Sequence, residues 1–377
     1  MSRKIFFVFS SLAFLLIFSC KQEKKTSEIS KGELVKYASH LELKKTKDYT
    51  LIKVLEPWAK AGKYQFVAAK NPEKIPDSLK KYPVIKIPIK KMVVTSTTHL
   101  PHIALLHEED KIVGFPNTKY ISSEIFRNRI AEKKLKEIGN GAGLNIEETL
   151  LLKPELIVAF SSGADQKQYD IFNKNGIPVI FNADWMESNP LGRAEWIKLF
   201  GVLFDKQKKA DFLFNEIEHN YNRIKEKINK KKEKVLVFQG GFFGDKWFLP
   251  GGKSYAAQLI KDAGGKYLLE SDNHNGSLTY NFENVLLKLP KADVWLNPGS
   301  ILSKSVLAEQ IPQVTNMKAY KKDKIYTYAL AKGKNGGLIY FEDSPAHPDW
   351  VLADLYHIFY PEDTPGYKFH YYSLILP

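Results

Sequence analysis

The 377-residue chain has a single cysteine, Cys20. No internal disulfide can form, and the rest of the chain offers no thiol nucleophile. Gly-x-Ser-x-Gly is absent, and Ser161-Ser162-Gly163 reads as a loop rather than a nucleophile elbow. Phosphate-cradling glycine loops are missing too, because Gly240-Gly241 and Gly336-Gly337 lack the following Lys-Ser/Thr. No stripe of Arg or Lys interleaves with aromatics, so nucleic acid is not an expected partner despite a formal charge of +14. Part of that excess, at Lys230-Lys231-Lys232 and Lys321-Lys322, is solvated surface. The rest suits an anionic ligand or a membrane surface. These absences point to a binding protein, with no enzymatic activity and no cofactor expected.

Long apolar runs are equally scarce. One stretch, Ile5 to Phe18, follows Arg3 and Lys4 and ends at Ser19-Cys20. It falls short of the roughly 20 apolar residues of a membrane span and has the layout of a secretory signal peptide. Ile17-Phe18-Ser19-Cys20 resembles the bacterial lipoprotein box, which implies that Cys20 receives lipid and becomes the new N-terminus. The alternative is an ordinary signal peptide with an incidental cysteine. Residues 1–19 are therefore expected to be signal peptide. Residues 20–32, polar and without periodicity, read as a lipidated tether. Such a chain would sit in the cell envelope, anchored through Cys20 and facing the periplasm, with the choice of membrane open.

The remaining chain divides by pattern. Residues 33–91 hold alternating runs, Tyr49–Val54, Tyr64–Ala68 and Val84–Ile89, which predict antiparallel strands in a β extension. Residues 92–205 alternate short apolar strands with helices, the pattern of a parallel α/β lobe, and one of these helices is expected over 193–203. Residues 206–229 carry Ala210, Leu213, Phe214, Ile217, Tyr221, Ile224 and Ile228 at spacings of three or four with no Gly or Pro. They predict one long linking helix. Residues 230–377 restart with a buried strand at Val235–Phe238 and form a second α/β lobe. A repeat ties the lobes together. Asn145-x-Glu147 leads to Lys153-Pro154 and then Leu156–Phe160, while Asn281-x-Glu283 leads to Pro290 and then Val294–Leu296. A helix that stops before proline and feeds a buried strand is an αβ unit. Finding it twice predicts two parallel-sheet lobes joined by a helix, with a cleft between them.

Taken in order, the lipoprotein box, the Val93-Val94 strand, the two Asn-x-Glu units and the linking helix resemble one family. They are similar to the helical-linker, cobalamin- and ferric-siderophore-type substrate-binding lipoproteins of ABC importers, over roughly residues 92–361. The resemblance implies a monomer that captures an iron complex (ferric siderophore or haem) or a corrinoid and delivers it to a permease dimer with its ATPase. It also implies that one glutamate of each lobe, Glu147 and Glu283, docks on permease arginines. A carboxylate at a helix start pairs well with such partners. Glu148 is a possible one-residue register shift, and both glutamates are also explicable as helix-start residues.

Loops at strand C-termini line the cleft in a fold of this kind. In the first lobe they select Thr97, Thr98, His99, Tyr120, Ser161, Ser162 and Trp185. In the second they select Gln239, Phe242, Phe243, Trp247 and the segment from Tyr340 to His347. The set is rich in aromatics, which suit a planar or macrocyclic ligand. Core packing explains each aromatic singly as well as ligand contact does. His99 and His102 raise a zinc or manganese transport protein as an alternative. No acidic partners cluster near them, and no metal site is expected. His99 alone is placed to face the cleft, as a candidate axial ligand to haem iron. A further alternative is a lipoprotein that relays ligand for an outer-membrane receptor.

Overall fold

A computed structural model describes residues 33–139, 143–231, 233–244, 246–281, 283, 285 and 291–377. The signal segment, Cys20, the tether, and Phe282, Asn284 and Leu286–Pro290 of the second repeat copy lie outside the described residues. The β extension is a four-stranded sheet in the order β1 (Leu41–Lys45), β2 (Tyr49–Leu55), β3 (Lys63–Ala69), β4 (Val84–Lys86). Strand β2 buries every second residue, as a sheet with one covered face requires. The expectation of antiparallel strands throughout needs correcting at β4, which runs parallel to β3. Two short 3-10 turns within 72–79 carry the chain back before it pairs. The predicted run to Ile89 also stops early, at Lys86, because Pro88 has no N–H for a ladder.

The first lobe is a parallel five-stranded sheet built from β5 (Met92–Val94), β6 (Ile112–Phe115), β7 (Lys136–Glu137), β8 (Leu156–Ala159) and β9 (Val179–Phe181), in the order β7-β6-β5-β8-β9. All residues of β5, β8 and β9 are buried, as in a sheet covered by helices on both faces. The helices are α1 (Leu100–Leu106), α2 (Glu124–Ala131), α3 (Ile146–Leu151) and α4 (Gln166–Lys174). The single helix expected over 193–203 is two, α5 (Pro190–Ala194) and α6 (Ile197–Leu203). Asn189 starts α5 early by accepting the amides of Leu191 and Gly192.

Helix α7 (Gln207–Ile228) links the lobes. Its 22 residues span about 33 Å at about 1.5 Å per residue. The second lobe sheet comprises β10 (Val235–Gln239), β13 (Gly265–Tyr267), β15 (Val294–Leu296), β16 (Ile325–Thr327) and β17 (Ser373–Leu374), in the order β13-β10-β15-β16-β17. A small antiparallel sheet, β11 (Gly241–Phe243), β12 (Lys246–Pro250) and β14 (Ser277–Asn281), rises beyond β10. Helix α8 (Tyr255–Asp262) and the helices Ile339–Asp343 and Pro348–Phe359 cover the seam side.

Two buried carboxylates fasten the extension to the first lobe. Glu195 accepts the amides of Lys36, Tyr37 and Ala38 at 2.6–2.9 Å. Glu187 accepts the amides of Ser39 and His40 and the Ser39 hydroxyl at 2.7–3.0 Å. Trp58 and Tyr64 then pack on Phe181 of β9, ring centroids 5.1 and 5.4 Å away.

Candidate ligand-binding cleft

The loops after β5, β8 and β9 meet at the C-terminal edge of the first sheet. Thr95 joins two of them by accepting the amide of Phe160 at 2.8 Å. Ser96 accepts the amide of Thr98 at 3.3 Å and opens the turn that leads into α1. Thr97 and Thr98 are left half-buried there, and His99 is fully buried. Phe160 meets Trp185 edge-on at 5.6 Å. Asn182 accepts the amide of Asp184 at 2.8 Å and shapes the turn after β9.

Opposite them, the helices Ile339–Asp343 and Pro348–Phe359 and α8 present the second lobe. The short helix Ile339–Asp343 packs on Thr97–His99 and α1. Tyr340 is buried and stacks on Tyr328 at 4.1 Å, with Tyr371 and Tyr372 at 5.6 and 6.0 Å. His347 stacks on Trp350 at 3.8 Å, and Trp350 on His370 at 4.9 Å. Arg193 crosses the seam. Its guanidinium lies 4.1 Å over the ring of Tyr255 while donating to the carbonyls of Asp184 and Trp185, each at 3.0 Å.

The seam is marked by buried polar atoms that no protein group pairs. They are both ring nitrogens of His99 and of His102, Oδ2 of Asp184, the hydroxyl of Tyr255 and Oδ1 of Asp349. Three of these residues belong to the first lobe and two to the second. Each unpaired group costs about 1–3 kcal/mol of desolvation, so a seam holding several of them favours a polar or amphipathic guest. Burial holds His99 and His102 down to about 3, so both are neutral at physiological pH. Burial also pushes Asp349 up to about 6 and Tyr255 up to about 12.

Several residues selected from sequence fall elsewhere. Trp247 is fully buried among Phe238 and Trp295, with centroids at 5.6 and 5.8 Å, and is a core residue. Ser161 is also buried; its hydroxyl donates to Asp165 and accepts the amide of Gly163, which holds the loop itself. Ser162 is exposed. Tyr120 and Phe243 are exposed at 55% and 74%, on the rims rather than the floor. Gln239 is buried at the end of β10, and Phe242 leans on Trp247 at 5.4 Å. Glu147 and Glu283 are exposed on their respective lobes. Among the described residues, no group of three or more His, Cys, Asp or Glu is placed to hold a metal ion. No helix among them is long and apolar enough to cross a membrane.

Sequence reasoning missed Arg193, Tyr255, Asp184 and Asp349. Asn189-Pro190 marks a helix start just after β9, which places Arg193 in the first turn beyond a cleft loop. No comparable signal marks the others.

A cavity of about 870 Å³ opens elsewhere, between the extension and the first lobe, beside Lys53, Tyr64, Tyr82, Gln166 and Asp170. Two polar pairs line it, Lys53 on Glu42 at 2.9 Å and Gln166 on Tyr64 at 3.2 Å. Volume favours that cavity; unpaired buried chemistry favours the seam, and the seam is the stronger indicator of a specific guest.

Two sheets that share a four-strand order, one long linking helix and a polar seam between lobes define a periplasmic binding protein. The profile of that family matches residues 92–329, and the chain belongs to it as a solute-binding protein of ABC transporters. The β extension precedes the matched region. An uncharacterized lipoprotein of Methanocaldococcus jannaschii is 26% identical over 312 residues, covering 80% of this chain and 71% of its own length. A vitamin B12-binding protein of Salmonella paratyphi A is 24% identical over 161 residues, 42% of this chain and 58% of that protein. Among solved structures, a periplasmic heme binding protein of Vibrio cholerae superposes with a TM-score of 0.55 at 15% identity, covering 71% of this chain and 99% of that one.

Proposed function

We propose that this protein captures an iron complex, such as a ferric siderophore or haem, or a cobalamin-type corrinoid between its lobes. It then delivers that cargo to an ABC permease dimer and its ATPase, anchored to the membrane by lipid on Cys20. The observation that carries this reading is the set of buried polar groups left without a protein partner near the lobe boundary, on His99, His102 and Asp184 of the first lobe and on Tyr255 of the second, whose ring Arg193 covers from the first lobe. The tyrosine stack around Tyr340 adds the flat apolar wall that a macrocycle or catecholate packs against. Relatives named for vitamin B12 and heme binding support a ligand of this size class. Thr97, Thr98 and His347 complete the proposed contact set, with Arg193 positioned for an anionic edge of the ligand. Glu147 and Glu283 are the proposed docking points on the permease, one on each lobe.

Tryptophan fluorescence tests the reading. Trp185 borders the cleft, and titration with ferric catecholates, ferric hydroxamates, haem and cobalamin is expected to give saturable quenching by one class. Absence of binding by all four, with strong thermal stabilisation by Zn²⁺ instead, would overturn it.

A further inference from the structure

The second lobe does more than face the first; one segment reaches across and holds it. After β16 the chain makes a tight loop, in which Gly333 donates its amide to the carbonyl of Gly337 at 2.8 Å and Gly336 adopts φ +88°. The loop lies directly on the first lobe. A Cβ on Gly337 would come within 2.4 Å of the Tyr120 carbonyl oxygen, and one on Gly333 within 2.7 Å of the Ser122 Cβ. Only glycine permits that approach. Ser122 then donates its hydroxyl to the carbonyl of Gly337 at 3.0 Å.

The contact ends in a carboxylate. Glu342, buried in the seam, accepts the amide of Ser122 on one oxygen at 2.6 Å and that of Ser123 on the other at 2.8 Å. Those amides lead into α2. Asn145, Asn189 and Ser254 cap their own helices with their own side chains. Ser123, at the start of α2, makes no such side-chain bond. The carboxylate at that helix entrance is supplied by the other lobe, where the helix dipole favours it.

We infer that segment 332–343 is a gate across the mouth of the cleft and that Glu342 is its latch. Cargo enters or leaves only when the Glu342 carboxylate releases Ser122 and Ser123. Because the loop is tight and the latch is bidentate, the gate moves as a unit rather than fraying. The latch rests on geometry alone; its role in cargo exchange rests on the proposed function, and the two are tested separately.

Amide hydrogen exchange on the full chain reads the latch without any cargo. In Glu342→Ala, exchange at Ser122, Ser123 and the first turn of α2 is expected to rise by at least about tenfold. Gly337→Ala provides a second route, since its Cβ displaces the loop while leaving the carboxylate intact, and the same amides should respond. A rise confined to 120–131 and 332–343 supports the latch. No rise in either variant, or a rise spread equally through β10 and β15, overturns it. Stopped-flow mixing with haem and with cobalamin then reads the gate: faster association in both variants supports it, and unchanged association overturns it. Should neither probe bind wild type or variants, the cargo reading fails, while the exchange result still decides the latch.

Discussion

Strands β6-β5-β8-β9 of the first lobe and β13-β10-β15-β16 of the second follow the same order, and the strands that follow the two repeat copies, β8 and β15, take the third place in each. The surfaces these sheets turn toward each other differ. The first lobe contributes imidazoles and a carboxylate, His99 and Asp184 from short turns close to the strand ends and His102 from α1. The second contributes tyrosines and a glycine loop bonded across the gap. Their cores differ as well, with aliphatic central strands β5 and β8 in the first and an indole cluster of Trp247 and Trp295 around Phe238 in the second. A duplicated scaffold therefore fixes where the loops meet, and divergence of the loops makes one wall polar and the other aromatic.

The lobes are predicted to be equivalent in docking and unequal in everything else. Replacing both Glu147 and Glu283 by alanine is expected to abolish uptake in cells while leaving ligand affinity unchanged, with either single variant intermediate. Loss of affinity would instead assign these residues to the ligand site. In the second lobe, Trp247→Ala should cost about 3–5 kcal/mol in chemical denaturation, with any effect on binding following from stability. A full-strength fold with lost binding would return Trp247 to the cleft.

Acid should act with opposite signs on the buried histidines of the first lobe and on Asp349 of the second. His99 and His102 have folded values near 3 against an ordinary 6.5. The unfolded chain gains those protons first, and stability falls as pH drops below about 6.5. Asp349, near 6 against an ordinary 3.8, has the reverse sign: the folded chain is protonated first, and stability rises as pH drops through that window. Two histidines with the larger shifts outweigh one aspartate, so melting temperature should decline from pH 7 to pH 4. His102→Phe, which keeps a ring against Phe200, should flatten the decline. The smallest effect belongs to Phe243→Ala, on the exposed face of β11, at within about 0.5 kcal/mol of wild type.

The architecture was legible because buried parallel strands are continuous apolar runs, and because the αβ unit occurs twice. Met92–Val94, Leu156–Ala159 and Val294–Leu296 announce themselves that way. The division of 193–203 into two helices was not, since Trp196 through Leu203 carry apolar residues on every side and mask the break at Glu195. Rules about strand ends selected Thr97, His99 and Tyr340, which the structure brings together where the helix Ile339–Asp343 packs on Thr97–His99. They failed at β12, where alternation turns Trp247 inward and Phe248 outward. Glu342 on Ser122, Arg193 over Tyr255 and Glu187 on Ser39 join residues far apart in the chain. No local periodicity encodes such pairs; they arise only once the lobes and the extension have packed.

Hydrogen exchange in the presence of saturating cargo would locate the guest, which is expected in the seam. Protection should gather at Thr97–His99, Asp184–Arg193, Tyr255 and residues 339–349. Protection gathered instead around Tyr64, Tyr82 and Asp170, at the cavity beneath the β extension, would contradict it.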